Sequence, residues 1–179
     1  MGRLFALLCT ITLLVGCSPR VAQVTRILHP GELGTTVVLP FDGPYGNVFA
    51  DRVGYELLNS GASLLDRSRR DGVLQARGLR SAHFGPDAPL AKLMALGTAM
   101  KADTIVVGKV TGPPSSSRLM DQLRGFSGYP VTTAAIRFVR VSDGATLSYV
   151  SYRTERDIPL LRDDSYKVAQ KLVAAAFGR

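Results

Sequence analysis

Cys17 has a side chain that supports several kinds of chemistry, because a thiol can form a disulfide, bind a metal or accept a covalent group. One other cysteine, Cys9, is present among the 179 residues. A disulfide between them would close a very short loop inside an apolar run, and no residues of the kinds that bind zinc lie beside Cys17. Both of these uses of the thiol are therefore disfavoured.

The residues before Cys17 are those of a secretion signal. Arg3 supplies a positive charge and Leu4–Val15 form an apolar run of about a dozen residues, which is the size of a signal h-region. This run is shorter than the roughly 20 apolar residues that span a bilayer. Leu14–Cys17 (LVGC) resembles a bacterial lipobox. The resemblance implies that Cys17 carries diacylglycerol on its sulfur, becomes the mature N-terminus and is acylated there. The alternative that remains open is an ordinary signal peptide, which would leave Cys17 unmodified.

This reading divides the chain into a signal peptide (1–16), a lipidated N-terminus with a short linker (17–33) and a folded domain (34–179). Ser18–Leu33 contains proline and glycine and has no sustained periodicity, which predicts a linker. Even fully extended, it reaches no more than about 50 Å. We therefore expect a domain held near its membrane outside the cytoplasm, and Ser18 after the cysteine implies, by analogy, the periplasmic face of the outer membrane.

Five arginines within fourteen residues form a second candidate site. Guanidinium groups bind phosphate and carboxylate groups through paired hydrogen bonds, and the formal charge of +8 also favours acidic partners. Outside the cytoplasm these would be anionic lipid, phosphorylated glycolipid, acidic polysaccharide or an acidic protein surface, and the membrane tether argues against nucleic acid. A solvated loop is the alternative. The residues are Arg67, Arg69, Arg70, Arg77 and Arg80.

Residues 112–130 contain a candidate membrane-interface segment. A stretch rich in Gly, Pro and Ser precedes a possible short helix whose apolar side chains fall on one side and which also carries Arg118 and Arg124, as in interfacial amphipathic helices. The alternative is that this segment covers the core of its own domain. The candidate interface residues are Leu119, Met120, Leu123, Phe126 and Tyr129.

Signals for catalysis are scarce. His29 and His83 have no carboxylate or thiol companion in the sequence, and Asp163 and Asp164 suit the start of a helix better than a catalytic pair. There is no Gly-x-Ser-x-Gly, His-Glu-x-x-His or phosphate-loop motif. The sequence therefore predicts no enzyme, no catalytic residues, no metal site and no cofactor.

The hydrophobic patterns predict a single α/β domain with a mixed sheet and helices packed on it. Two β-branched runs without alternation indicate strands buried on both faces, and Ser142-Asp143-Gly144 indicates a hairpin. The predicted elements, in chain order, are a strand at Thr35–Pro40, a helix at Val48–Asn59 capped by Asn47, a strand at Ala62–Asp66, a helical turn at Asp71–Gln75, a helix from a cap at Asp87 to near Lys101, strands at Thr104–Val110, Val131–Val141 and Ala145–Arg153, and a helix capped by Asp164 and ended by Gly178.

Several of these segments together resemble a known family. The lipobox, TTVVLPFDGPYGN, LLNSGASLLDRS, ALGTAMKADTIVVGKVTG, the hairpin at VSDGATL and the Ala-rich last helix are similar to the outer-membrane lipoproteins related to CsgG, the curli secretion protein. The resemblance covers roughly Thr35–Gly178. It implies a CsgG-like α/β domain.

Three kinds of member differ in ways that the sequence addresses. The curli pore adds long transmembrane strand pairs, for which this chain is too short, and LpoB-type regulators use a long linker to reach a periplasmic synthase. PelC-type exopolysaccharide export lipoproteins have a similar length and a compact domain near their lipid, and they form a ring beneath the outer membrane. The resemblance therefore favours the PelC type, although its ring is described as acidic toward a cationic polysaccharide and this chain is basic.

The expectation is thus a periplasmic lipoprotein, anchored to outer-membrane lipid, that forms a homo-oligomer and assists export of a polymer, with an outer-membrane export channel as a further partner. The alternative is a regulator or structural module that binds a periplasmic enzyme or an envelope machine such as the flagellar outer ring.

Overall fold

A six-stranded sheet organises the part of the chain that the computed structural model describes, residues 21–80, 82–112, 131–153 and 164–179. Its strand order is β1-β6-β5-β4-β2-β3. The strands are β1 (Val21–Val24), β2 (Thr35–Val38), β3 (Ser63–Leu64), β4 (Thr104–Thr111), β5 (Thr133–Arg140) and β6 (Thr146–Arg153), and the helices are α1 (Gly46–Asn59), α2 (Arg67–Ala76), α3 (Leu90–Met100) and α4 (Ser165–Ala176).

The sheet is mixed, as the sequence predicts. Strand β2 pairs in parallel with β3 and with β4, whereas β4, β5, β6 and β1 pair antiparallel in succession. Parallel neighbours need a crossover connection, and helix α1 provides the one from β2 to β3. The α/β class with a single domain is therefore confirmed.

Helices cover both faces of the sheet and create two hydrophobic cores. Val106 and Val110 of β4 face the core formed with α1 and α4, while Ile105 and Val107 face the core formed with α2 and α3. Because successive residues of a strand point to opposite faces, a strand buried on both sides must be apolar throughout. This is why the run at Thr104–Val110 lacks alternation.

The predicted linker is partly wrong, because the domain begins before residue 34. Strand β1 pairs with β6, and Leu28 and Leu33 are 1% and 0% exposed. Pro30 and Gly31 belong to a 3-10 turn, Pro30–Glu32. A strand of four residues followed by this turn is too short to generate a periodic pattern, so the folded segment looks like a linker in the sequence.

The helix starts differ from the predicted ones where no side chain provides the expected cap. Helix α1 begins at Gly46, after Tyr45 in a left-handed conformation (φ 60°), so Asn47 lies inside the helix. Helix α3 starts after Pro89 without a side-chain cap from Asp87. The predicted turn at Asp71–Gln75 is part of the longer α2, which Asp66 caps by accepting from the Ser68 N–H.

The last helix agrees with its prediction at both ends. The Asp164 carboxylate accepts a hydrogen bond from the Lys167 N–H at 2.9 Å. Gly178 follows the helix with φ 68°, a backbone conformation that glycine adopts without strain. These two short-range signals are enough to delimit α4.

Replacing Gly97 with valine should destabilise the domain by about 2–3 kcal/mol, as overpacking of a filled core does. A Cβ atom at Gly97 of α3 would overlap Val141 Cγ2 and lie 2.9 Å from Ile105 Cδ1. Gly72→Val in α2 is the matched control, because a Cβ atom there has no neighbour within 4 Å. In urea unfolding, the midpoint of Gly97→Val should lie well below that of wild type, and the midpoint of Gly72→Val should lie close to it. Equal midpoints for the two variants would contradict this packing of α3.

Candidate functional site

One end of the sheet collects the start of β1, the ends of β4 and β6 and the start of β5. Val21 is opposite Tyr152, and Thr133 is opposite both Arg153 and Thr111. We call this end, marked by Val21, Thr111, Thr133 and Arg153, the Val21 end. Cys17 precedes Val21 by four residues, a stretch that spans at most about 14 Å.

Two predicted sites lie outside the described residues. These are the lipid attachment residue Cys17 and the membrane-interface candidates Leu119, Met120, Leu123, Phe126 and Tyr129. The chain nevertheless leaves the sheet toward the second site after Thr111 and returns to it before Thr133, and both residues belong to the Val21 end. The flanks of the two predicted membrane sites are therefore neighbours.

The five candidate arginines belong to α2 and to the exposed turn after it, so the first part of the segment is a helix and not a loop. Arg67, Arg69 and Arg70 lie in α2, and Arg77 is its C-cap. Arg80 follows in the next turn. Two of these arginines, Arg67 and Arg70, are bound to other elements, and only Arg70 is buried.

Arg67 and Arg70 attach α2 to its neighbours. Arg67 Nη1 lies 2.7 Å from Asp51 Oδ2 on α1. Arg70 is only 8% exposed; its Nη1 donates to the Val38 carbonyl at 3.0 Å, and its Nε lies 2.8 Å from Asp71 Oδ1. A buried cation such as Arg70 needs such partners, and the exposed Arg67 joins α2 to α1 through its ion pair.

Three of the five arginines meet at a cavity of about 200 Å³ between α2, the end of β2 and the start of α1. We call it the arginine cavity. Arg69 and Arg77 do not line it. The lining residues are Arg67, Arg70, Arg80, Asn47, Asp71, Gln75, Pro40 and Leu74.

The N-terminus of α2 depends on an ionised carboxylate. Hydrogen bonds from the Ser68 hydroxyl and then from its N–H hold the pKa of Asp66 below its ordinary value. A depressed pKa means that the folded state favours the charged form, so this cap contributes its stability at neutral pH and loses it as the pH falls through the lowered pKa. The Asp66 cap at the start of α2 is therefore fully charged near neutrality.

A second surface, which the sequence did not predict, is apolar and exposed. Tyr55 and Leu58 on α1 are 53% and 54% exposed, although large apolar residues usually lie inside. With Leu64 and Leu65 they form the apolar part of an open groove of about 480 Å³ beside the edge strand β3. The groove is also lined by four charged residues, two of which it shares with the arginine cavity: Asp51, Asp66, Arg67 and Arg70. We call this surface, defined by Tyr55, Leu58, Leu64 and Leu65, the α1 groove.

The periodicity of α1 contains a signal for this groove. Phe49, Val53 and Leu57 form the buried stripe, and Leu58 lies on the adjacent stripe, which the sequence alone treats as part of the same apolar face. Tyr55 lies on neither stripe. An apolar face wider than the core needs is typical of a helix with a second contact.

The histidines have structural surroundings. His83 Nδ1 lies 2.7 Å from the Phe41 carbonyl, to which it donates, and His29 precedes the 3-10 turn without capping it. Within the described ranges, no three His, Cys, Asp or Glu side chains come together as a metal site. In those same ranges, every helix is too short or too polar to cross a bilayer.

No protein family and no curated protein sequence matches the chain. Its fold is similar to that of solved structures at low identity. A PelC variant dodecamer from Paraburkholderia phytofirmans is 16% identical with a TM-score of 0.47, covering 86% of this chain and 92% of its own. The LpoB C-terminal domain from Salmonella enterica is 12% identical with a TM-score of 0.45, and the match covers 68% of this chain and 83% of the LpoB domain. A lipoprotein from Neisseria meningitidis is 15% identical with a TM-score of 0.45, and the match covers 72% of this chain and 88% of that lipoprotein.

Proposed function

We propose that the protein is an outer-membrane lipoprotein that works on the periplasmic face, forms a homo-oligomer against the membrane and assists export of an acidic polymer such as an exopolysaccharide. The observation that carries the proposal is the position of β1, which begins four residues after Cys17. No catalytic role is part of this proposal.

The short connection determines where the domain can work. Four residues reach at most about 14 Å, so a lipid on Cys17 holds the Val21 end close to the bilayer surface. A domain tethered so tightly cannot cross the periplasm to a distant partner. This geometry favours a membrane-proximal assembly over an LpoB-type regulator that reaches outward.

The α1 groove supports self-association. Contiguous exposed apolar surface on a soluble domain marks an interaction site, and edge strands can pair with another chain. The two edges of the sheet, β1 and β3, differ in sequence. A contact between unlike surfaces joins copies head to tail, which produces a ring when the rotation closes.

The net charge determines which polymer fits best. At +8, the chain attracts polyanions and repels polycations at long range. We therefore propose an acidic cargo, in contrast to the cationic polysaccharide that the PelC-type resemblance implies.

The proposal predicts a large homo-oligomer. When the full lipidated protein is extracted in a mild detergent, its mass should correspond to many copies, and it should stay assembled at high ionic strength because salt screens ion pairs but not apolar contacts. A monomer at high protein concentration with lipid present would contradict the proposal.

A second candidate function uses the same surface. The α1 groove has a volume within the range of ligand sites, about 300–1,000 Å³, so it also fits a segment of another protein. A photo-crosslinker placed at Leu58 in cells separates the two functions. Self-crosslinks alone would favour the homo-oligomer, and a one-to-one product with a periplasmic enzyme or ring protein would favour a regulator or structural module.

A further inference from the structure

We infer that the arginine cavity binds one phosphate group of a phosphorylated ligand. The inference does not depend on the proposed export function, because it rests only on the cavity and its lining. Two arginines of α2 and one from the turn after it line the same cavity of about 200 Å³: Arg67, Arg70 and Arg80. Guanidinium groups are the side chains best matched to a tetrahedral phosphate, because they donate several hydrogen bonds from a planar fork.

The ion pairs inside the site hold two of the arginines in place but leave it basic. Asp71 accepts from Arg70 Nε and lies 3.5 Å from Arg67 Nε, and Asp51 accepts from Arg67 Nη1. A guanidinium has five N–H donors, so each of these arginines keeps donors beyond its ion pairs. Arg67 and Arg70 are thus oriented before a ligand arrives, which lowers the entropic cost of binding.

Arg80 supplies the charge that the carboxylates do not offset. Asp51 and Asp71 balance Arg67 and Arg70, whereas Arg80 makes no ion pair with any residue in the described ranges. The Asn47 and Gln75 side chains also line the cavity and add amide donors. An exposed arginine beside two oriented ones gives the cavity a net attraction for an anion.

The place of the cavity in the fold provides a second, independent argument. It lies next to Pro40, just past the carboxyl end of β2, and beside Asn47 in the first turn of α1. In α/β sheets, ligands bind outside the carboxyl ends of the parallel strands, and the start of a helix adds positive potential. The volume is below the roughly 300 Å³ of sites for whole small molecules, so one charged group fits while the rest of the ligand stays outside.

The phosphate can come from a lipid headgroup or from a phosphorylated molecule in solution. In the register that pairs Val38 with Val106, Pro40 is about level with Gly108, three residues short of Thr111 on β4. At about 3.3 Å per residue, the cavity lies some 10 Å from the Val21 end along the strand direction. Headgroups of a membrane that contacts the Val21 end are therefore among the possible sources.

Inorganic phosphate is the first probe, titrated calorimetrically into the full lipidated protein in a neutral detergent at constant ionic strength. We expect saturable binding that falls at least tenfold in Arg80→Gln, which keeps amide donors and removes the charge. Arg69→Gln is the matched control, because Arg69 is an exposed α2 arginine that does not line the cavity, and it should bind within twofold of wild type. Thermal unfolding without phosphate should be the same for all three proteins.

Vesicles then identify the source, with the wild-type cavity and Arg80→Gln compared in a Cys17→Ala background so that acyl chains do not carry the vesicle binding. If binding to phosphatidylglycerol vesicles weakens in Arg80→Gln and free phosphate competes with it, the ligand is a headgroup. If phosphate binding depends on Arg80 while vesicle binding does not, the ligand is a soluble phosphorylated molecule. Both outcomes support the site, whereas phosphate binding that is absent, or equal in Arg80→Gln and Arg69→Gln, would overturn it without affecting the oligomer or its export role.

Discussion

Replacing Cys17 with alanine should abolish incorporation of labelled fatty acid and move the protein from the membrane to the soluble fraction. Alanine lacks the sulfur to which diacylglycerol would attach. Even one myristoyl chain binds membranes only marginally, with a constant of about 10⁴ M⁻¹, and stable anchoring needs a second chain or a basic patch. Losing every acyl chain should therefore release nearly all of the protein, as fractionation followed by immunoblotting would measure.

The Cys9→Ala variant is the matched control, since Cys9 is the only other cysteine and is predicted to leave with the signal peptide. It should be labelled and retained like wild type. If Cys17→Ala is fully retained on the membrane, Cys17 is not the residue that anchors the protein. Partial retention that disappears in a further Leu123→Ser/Phe126→Ser variant would instead assign the remaining affinity to the predicted interface segment.

The strands of the parallel half and the last helix could be predicted because their signals are local. Thr104–Thr111 is apolar on both faces and therefore stands out in the sequence. Asp164 and Gly178 mark the two ends of α4 through capping geometry that involves only neighbouring residues. These local predictions are confirmed, whereas the equally local caps predicted at Asn47 and Asp87 are wrong.

Strand β1 and the two arginine roles could not be predicted, because each depends on residues far away in the chain. Val24 belongs to the sheet because it pairs with Val150. Arg70 is buried because the Val38 carbonyl and two carboxylates compensate its charge. The sequence identifies the arginines as a cluster, but only the fold separates Arg67 and Arg70, which hold α2, from Arg80, which is available to a ligand.

Changing Leu58 to aspartate should dissociate the proposed oligomer into monomers. Leu58 is 54% exposed in the single chain and lines the α1 groove, so in a self-assembled ring it would lie in a contact between copies. Removing water from an unpaired carboxylate costs several kcal/mol, which corresponds to at least a hundredfold weaker association. Sedimentation velocity or mass photometry in mild detergent would measure the loss of the high-mass species.

The same substitution at Leu90 is the matched control, because Leu90 is also an exposed helical leucine, at 39%, but begins α3 on the opposite face of the sheet. Leu90→Asp should assemble like wild type. Both variants should unfold at temperatures near that of wild type, since neither side chain is buried in the monomer. If neither substitution affects assembly, the α1 groove is not part of the subunit contact and is left as a surface for a different protein. If only Leu58→Asp loses the oligomer, the exposed stripe of α1 takes part in self-association at the membrane.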